Sequence, residues 1–251
     1  MSGAVTQRLL EAVKRNERSV AFTVIDGEPI GAKALVLESG ETIGDGVPKA
    51  ALERADELIR GARNRVLELE DARVFAEVYG PPPRLVIVGA VDTADALCQA
   101  AKLLGWETIV VDARAKFATR ERIPNADRLI VEWPEEALAE VQPDHATAIV
   151  VLTHEERWDV PALAGALATD AFYVGALGSR RNQERRRERL LAEGVEPGAL
   201  ERIAGPCGLD LGGETQSETA LSILAEIVAA RFGRAGGRLR DAKQRIHAEV
   251  A

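Results

Sequence analysis

Cysteine is almost absent: Cys98 and Cys207 are the only two in 251 residues, and they form no CxxC pair. Neither a zinc ribbon nor a disulfide scaffold is expected from them. Histidine is scarce too, with three in the chain, and no grouping of His, Cys, Asp or Glu has metal-ligand spacing, so no metal is expected. Aromatics make up 4%, which leaves the core to be built from aliphatics. No apolar run approaches the roughly 20 residues of a membrane-spanning helix. An excess of basic charge is also missing. The net charge is -8, which argues against nucleic acid as the main partner. The first eight residues have no signal-peptide core, and a cytoplasmic protein is expected. What remains, 46% hydrophobic and 29% charged, is the composition of a soluble globular protein with room for one large or two modest domains.

Residues 84–114 organise the chain. Leu85-Val86-Ile87-Val88 is a continuous, mostly β-branched run, the pattern of a strand buried on both faces of a parallel sheet. Ala94, Leu97, Cys98, Ala101 and Leu104 keep the rhythm of one helix face, and Gly105 stops it. Thr108-Ile109-Val110-Val111 is a second strand, with Asp112 at its end. Strand, glycine turn at Gly89, helix, strand and terminal acid is the dinucleotide-binding order, with Asp112 placed to accept a hydrogen bond from a ribose hydroxyl. The turn departs from that pattern. Val91 stands where a second glycine would let backbone approach a pyrophosphate, and Asp92 sets a carboxylate at the helix start, where it would repel a phosphate. A parallel α/β domain with no nucleotide in this turn is the alternative.

The first 79 residues read as a small α+β module. It has an amphipathic helix over 5–15 with Val5, Leu9, Leu10 and Val13 on one side, and strands at 19–25, 32–37, 66–69 and 74–79. A glycine loop occupies 42–46, and a helix starts at Pro48 and runs to about residue 60. Gly80-Pro81-Pro82-Pro83 makes a stiff, extended spacer, so the domains are set at 1–79 and 80–251. Beyond residue 114 strand and helix keep alternating: strand 128–131, helix 134–141, strand 146–152, helix 161–168, strand 171–174, then a charged helix to about residue 193. A glycine loop covers 205–213, Thr215 with Glu218 opens another helix as a capping box, and the tail 238–250 reads as a surface helix. The expected fold class is α/β: a Rossmann-like, mostly parallel sheet preceded by a small α+β domain.

Ligands of an open parallel sheet sit outside the carboxyl ends of its strands. Here those ends carry Gly89 with its turn, Asp112 with Arg114, Thr153 with His154, and Gly175-Ala176-Leu177-Gly178-Ser179-Arg180-Arg181. Ser179 suits an N-cap. Arg180 and Arg181 then fall in the first helical turn, where the macrodipole disfavours cations. Two arginines there make sense if an anion docks, and their planar forks suit phosphate or carboxylate. The arginines behind them, at 185–189, read as a solvated face held by i+3 and i+4 ion pairs. His154 is either an acid–base group or a hydrogen-bonding loop residue. Cys98, on the apolar helix face, reads as a core thiol. Cys207, between Pro206 and Gly208, lies in a loop where it could be exposed, with no paired base.

Several of these segments carry a resemblance. Thr153-His154, Asp159-Val160-Pro161-Ala162-Leu163 and Tyr173-Val174 running on through Arg181 form its first part. Pro206-Cys207-Gly208-Leu209-Asp210-Leu211-Gly212, then Thr215, Glu218 and Ser222-Ile223-Leu224-Ala225-Glu226-Ile227, complete it. Together they resemble the xanthine dehydrogenase accessory factor family, XdhC/CoxI. The first half is similar more loosely, through Gly31-Ala32-Lys33, Gly40 and Gly44. The resemblance implies a small N-terminal domain followed by a Rossmann domain. It implies a role in maturing molybdenum hydroxylases of the xanthine or CO dehydrogenase type: binding the molybdenum cofactor for sulfuration and inserting it into the apo-enzyme. A cofactor-binding chaperone or insertion factor is thus expected rather than a turnover enzyme.

Two departures stand out. Many members have a glycine run with a cysteine where Asp45-Gly46-Val47-Pro48 stands, and many have a glycine and a histidine where Val91 and Asp92 stand. The expected cofactor-binding set is Gly89, Asp112, Arg114, Thr153, His154, Gly175, Gly178, Ser179, Arg180, Arg181, Cys207, Gly208 and Asp210, with no catalytic residue assigned. Molybdopterin, plain or in a dinucleotide form, is the expected cofactor. An NAD(P)-dependent oxidoreductase is the rival reading, resting on the βαβ unit. The expected partners are the molybdenum hydroxylase apo-enzyme and a cysteine desulfurase as sulfur donor, with a homodimer left open and neither nucleic acid nor membrane expected.

Overall fold

The structure, a computed structural model, describes residues 2–153 and 155–243. They fall into two compact units. One ends at Pro81 and is joined by the described residues from Leu239; the other is Pro82–Arg238.

The first unit contains α1 (Ser2–Lys14), β1 (Ser19–Asp26), β2 (Lys33–Leu37), β3 (Thr42–Gly44), α2 (Lys49–Leu52), α3 (Ala55–Gly61), β4 (Arg65–Glu68) and β5 (Arg73–Tyr79). The strands form one antiparallel sheet in the order β3-β2-β1-β5-β4, with Ser19 opposite both Leu37 and Tyr79. Successive side chains of a strand point to opposite faces, and the burial follows that rule. Val20, Phe22 and Val24 pack with Ala51, Ala55, Leu58 and Ile59. Ala21, Leu35 and Leu37 pack with Val5 and Ala12 of α1.

Three local expectations change here. Leu10 and Val13 are exposed, because α1 turns Val5 and the small Ala12 inward instead. The helix expected from Pro48 to residue 60 is two short helices, broken at Glu53 and Arg54, each laying its own apolar residues on the sheet. The loop at 42–46 begins with an edge strand, since pairing with β2 outweighs the weak strand propensity of glycine. Gly44 is required there: its φ is +102°, and an added Cβ would lie 2.2 Å from the Lys33 carbonyl oxygen.

The second unit contains β6 (Arg84–Val88), α4 (Asp92–Lys102), β7 (Glu107–Val111), β8 (Arg128–Ile130), α5 (Pro134–Val141), β9 (Thr147–Val151) and α6 (Glu156–Leu167). It continues with β10 (Tyr173–Ala176), α7 (Arg180–Ala192), α8 (Pro197–Leu200), β11 (Ile203–Ala204) and α9 (Gln216–Arg231). The sheet is parallel throughout, in the order β11-β10-β9-β6-β7-β8. Read from β8, that is the third, second, first, fourth, fifth and sixth strand of the unit, the Rossmann order. The expected α/β fold class is therefore the one observed. β6 lies between β7 and β9, so the order reverses between β6 and β9, at the switch point where such sheets bind ligands.

Both faces of this sheet are covered. Leu85, Ile87, Val110 and Val150 pack with Leu97, Cys98, Ile223 and Ile227 of α4 and α9. Val86, Val88, Ile109, Ile149 and Val151 pack with Leu138, Leu163, Leu167 and Leu190. This explains why the strands lack alternation: neither face meets water.

Three expectations are corrected in this half and a fourth in the tail that follows it. Leu104 is 47% exposed, because α4 ends at Lys102 before reaching it. α6 begins at Glu156, so Pro161 sits inside it, and Trp158, Asp159 and Val160 are buried residues of the helix. The short elements α8 and β11, in the stretch between residues 193 and 205, were not anticipated. The tail expected as a helix from 238 shows a single 3-10 turn, Leu239–Asp241, and residues from 244 onward lie outside the described residues.

Candidate functional site

The turn after β6 is built by hydrogen bonds to β7. The Gly89 N–H donates to the Val111 carbonyl at 2.8 Å, and the Ala90 N–H donates to Asp112 Oδ2 at 2.9 Å. Gly89 has φ +113°, and a Cβ there would lie 2.7 Å from Thr153 Cγ2. Only glycine fits a positive φ this close to the end of β9. Val91 is the N-cap of α4 in extended conformation and offers no side-chain cap. Asp92 faces solvent and pairs with Arg122 at 3.4 Å.

Asp112 is 5% exposed, and both its oxygens are engaged. Oδ1 accepts from the Arg114 N–H at 3.0 Å and from Arg114 Nε at 2.9 Å. Oδ2 accepts from the Ala90 N–H at 2.9 Å and from Arg114 Nη2 at 2.8 Å. Burial alone would raise the Asp112 pKa, but the Arg114 guanidinium and the two backbone N–H groups outweigh it and hold the carboxyl below its ordinary value. A carboxylate with about four lone-pair sites, all filled, has no free acceptor for a ribose hydroxyl while Arg114 stays in place. Arg114 also reaches Glu155 at 2.9 Å and lies 4.4 Å from the centre of the Phe117 ring.

Thr153 is buried at the end of β9, and its Oγ1 donates to Asp159. Asp159 and Arg186 form a buried ion pair, 2% and 4% exposed. Arg186 Nε donates to Asp159 Oδ2 at 2.8 Å, Nη1 to the Leu177 carbonyl at 2.7 Å, and Nη2 to the Thr153 carbonyl at 3.1 Å. One guanidinium from α7 thus ties the ends of β9 and β10 to α6. The arginines at 185–189 were expected to be solvated. Arg186 is not, and this is a correction: its position on α7 points it under the glycine turn. Gly178, with φ +136°, leaves room for it, since a Cβ there would lie 3.3 Å from Arg186 Nη1. His154 lies outside the described residues.

Ser179 caps α7 as expected, its Oγ accepting from the Asn182 N–H at 3.3 Å. Arg180 and Arg181 follow it, both exposed, with no ion pair among the described residues. Gly175 is buried, and a Cβ there would meet Tyr173 Oη at 2.8 Å and Cys207 Cβ at 3.1 Å.

Cys207 is 8% exposed and belongs to the apolar core, which corrects the expectation that it could be exposed. Its N–H donates to the Ala176 carbonyl at 3.0 Å, and that bond draws the loop down onto the sheet. Burial, with the Glu226 carboxylate adding to it, pushes the thiol up to about 12. Glu226 accepts from both the Tyr173 hydroxyl and the Gly208 N–H, so α9 locks the same loop. Cys98 is fully buried, and burial likewise pushes its thiol up to about 12. Asp210 is exposed on the loop.

Eight of the thirteen expected residues fall into three groups. Gly89, Asp112 and Thr153 line one cavity of about 10 Å³ at the ends of β6, β7 and β9, together with Pro134 and Trp158. Gly175 of β10 packs against Cys207, which lies with Gly208 in the locked loop. Arg180 and Arg181 stand at the surface in the first turn of α7. Asp159, Arg186 and Glu226 were missed. Asp159 and Glu226 lie within stretches already singled out in the sequence, and no pattern there distinguishes Arg186 from its neighbours.

The family model of the XdhC Rossmann domain matches residues 85–227. A probable xanthine dehydrogenase component from Bacillus subtilis (strain 168) is 33% identical over 162 residues, covering 64% of this chain and 47% of that protein. The molybdenum cofactor insertion chaperone PaoD of Escherichia coli (strain K12) is 28% identical over 158 residues, covering 63% and 43%. The chain thus spans less than half the length of these curated relatives. A crystal structure of a xanthine dehydrogenase from Bacillus halodurans has a TM-score of 0.68 at 24% identity, covering 90% of this chain and 66% of that one; it shares the fold.

Proposed function

The chain belongs to the XdhC Rossmann-domain family, and from that membership we propose that it is an accessory protein for maturation of molybdenum hydroxylases. In this reading it holds the molybdenum cofactor while the cofactor is sulfurated and inserted into the apo-enzyme. The observation that carries the reading is the pair Arg180 and Arg181, exposed and without ion-pair partners among the described residues at the strand-end side of α7. The cofactor is a pterin bearing a phosphate, and two unpaired guanidinium forks beside a helix N-terminus suit that anion.

The buried Asp159–Arg186 pair supports the reading by fixing the backbone from which Arg180 and Arg181 project. The two thiols bear on where the sulfur comes from. Both are buried with pKa values near 12, so neither is a ready thiolate at neutral pH. In this reading the sulfur arrives from a partner, and a cysteine desulfurase would supply it as a persulfide. The nicotinamide reading is disfavoured by the branched Val91, the Asp92 carboxylate and the saturated Asp112.

Anaerobic purification under mild conditions, followed by mass spectrometry of the co-purifying small molecule, tests the proposal. A pterin, plain or as a dinucleotide, is the expected result. A nicotinamide would overturn it in favour of the oxidoreductase, and an empty protein would favour a ligand-free docking scaffold.

A further inference from the structure

Two of the four donors to Asp112 come from the backbone and two from a single side chain. Oδ1 accepts from the Arg114 backbone N–H and from Arg114 Nε, and Oδ2 from the Ala90 N–H and from Arg114 Nη2. Each oxygen therefore gives one of its sites to the guanidinium. The remaining nitrogen, Nη1, donates to Glu155 Oε1 at 2.9 Å. Glu155 is the N-cap of α6, beyond the end of β9. Asp112 lies beyond the end of β7, and β6 runs between the two strands. Two strand spacings are about 10 Å. Arg114 thus joins the strand ends that flank the Gly89 turn, at the switch point where sheets of this order take ligands. It is held from other sides as well. The Phe117 ring centre is 4.4 Å from the guanidinium carbon, and Arg157 Nε donates to Glu155 Oε2 at 3.1 Å.

We propose that Arg114 determines which ligands this crevice admits: it occupies the two Asp112 sites that a ribose diol would fill, and so shuts out nucleosides and nucleotides. The donors match in number. The 2′- and 3′-hydroxyls of a ribose present two O–H groups to a carboxylate at this strand end, and the guanidinium fork fills those two positions from within the chain. The other two donors are backbone N–H groups, at Ala90 and at residue 114 itself. They do not depend on the Arg114 side chain, so a shorter side chain leaves Asp112 anchored with one free site on each oxygen. The device is separate from the turn at Val91 and Asp92, which opposes a pyrophosphate rather than a sugar. In a Rossmann sheet an unfilled acid at this position recruits nucleotides. Arg114 removes that recruitment without altering the fold, and it does so whether or not the chain carries a pterin.

Ligand-observed NMR with the full chain tests this. The probes are adenosine and 2′,3′-dideoxyadenosine, neither of which carries a phosphate for Asp92 to repel. Thermal melts establish that each variant is folded; should Arg114→Ala not melt cooperatively, Arg114→Gln, which also lacks the fork, takes its place. The natural protein should show no preference for adenosine. Arg114→Ala should bind adenosine at least about tenfold more tightly than the dideoxy analogue, through hydrogen bonds from the diol to a charged acceptor. Adding Asp112→Asn, which removes that charge and one acceptor oxygen, should lose most of the preference. A diol preference in the natural protein would overturn the proposal. So would its absence from the folded Arg114→Ala variant, the result expected if Arg114 only ties the strand ends together and its loss merely lowers the melting temperature. A preference that survives Asp112→Asn would overturn the assignment of the diol to Asp112. In each case the co-purification experiment decides the cofactor reading by itself.

Discussion

Arg186 occupies one of six arginine positions between residues 180 and 189, yet its environment is unlike that of its neighbours. It alone in that stretch is buried, where it binds Asp159 and two strand-end carbonyls. Removing one partner of a buried pair leaves the other charged and desolvated, at a cost of about 3–5 kcal/mol. Arg186→Met should lose about that much in urea unfolding, whereas a loss below about 1 kcal/mol would show that Asp159 finds another donor. Cys207 supports a second expectation. With burial, and then Glu226, pushing its thiol up to about 12, the group stays protonated at pH 8. A thiol reagent such as Ellman's should leave it unlabelled in the native protein and label it fully in guanidinium; rapid labelling of the native form would disprove the lock on its loop. Neither residue's environment was legible in the sequence, because burial of a single charged or sulfur side chain in a polar stretch leaves no periodic trace.

Elements were far more legible than these residues. The inner strands β6, β7 and β9 announce themselves as largely β-branched runs because both faces are covered, and the capping box of Thr215 and Glu218 forms as its spacing indicated. Less visible were elements decided by tertiary pairing. β3 exists through its pairing with β2, and α6 starts five residues before Pro161 because Trp158, Asp159 and Val160 pack inward. For α7, the charge pattern at its start leads to a test. The Arg180→Ala/Arg181→Ala variant should bind pyrophosphate at least tenfold more weakly, from about 1.5–3 kcal/mol per charge-assisted contact. Its melting temperature should stay near that of the natural protein, since neither side chain is buried. Equal affinity, read by calorimetry, would return both arginines to the solvated face of the helix.

At the scale of the molecule, the two clusters that flank the parallel sheet draw all their buried residues from within Pro82–Arg238. A fragment of those residues should therefore melt cooperatively when expressed alone, as circular dichroism would show; a gradual, featureless melt would mean that the sheet depends on the rest of the chain. The same sheet has an asymmetry of lengths. Its inner strands β6, β7 and β9 have five residues each, while the outermost, β8 and β11, have three and two. An open strand edge is a template on which another chain's strand can add, and repetition of that addition is how fibrils grow. Edges of two and three residues present too few free backbone donors and acceptors to hold an incoming strand. The apolar inner runs 85–88 and 148–151 thereby lie behind borders that resist strand addition for as long as the unit stays folded.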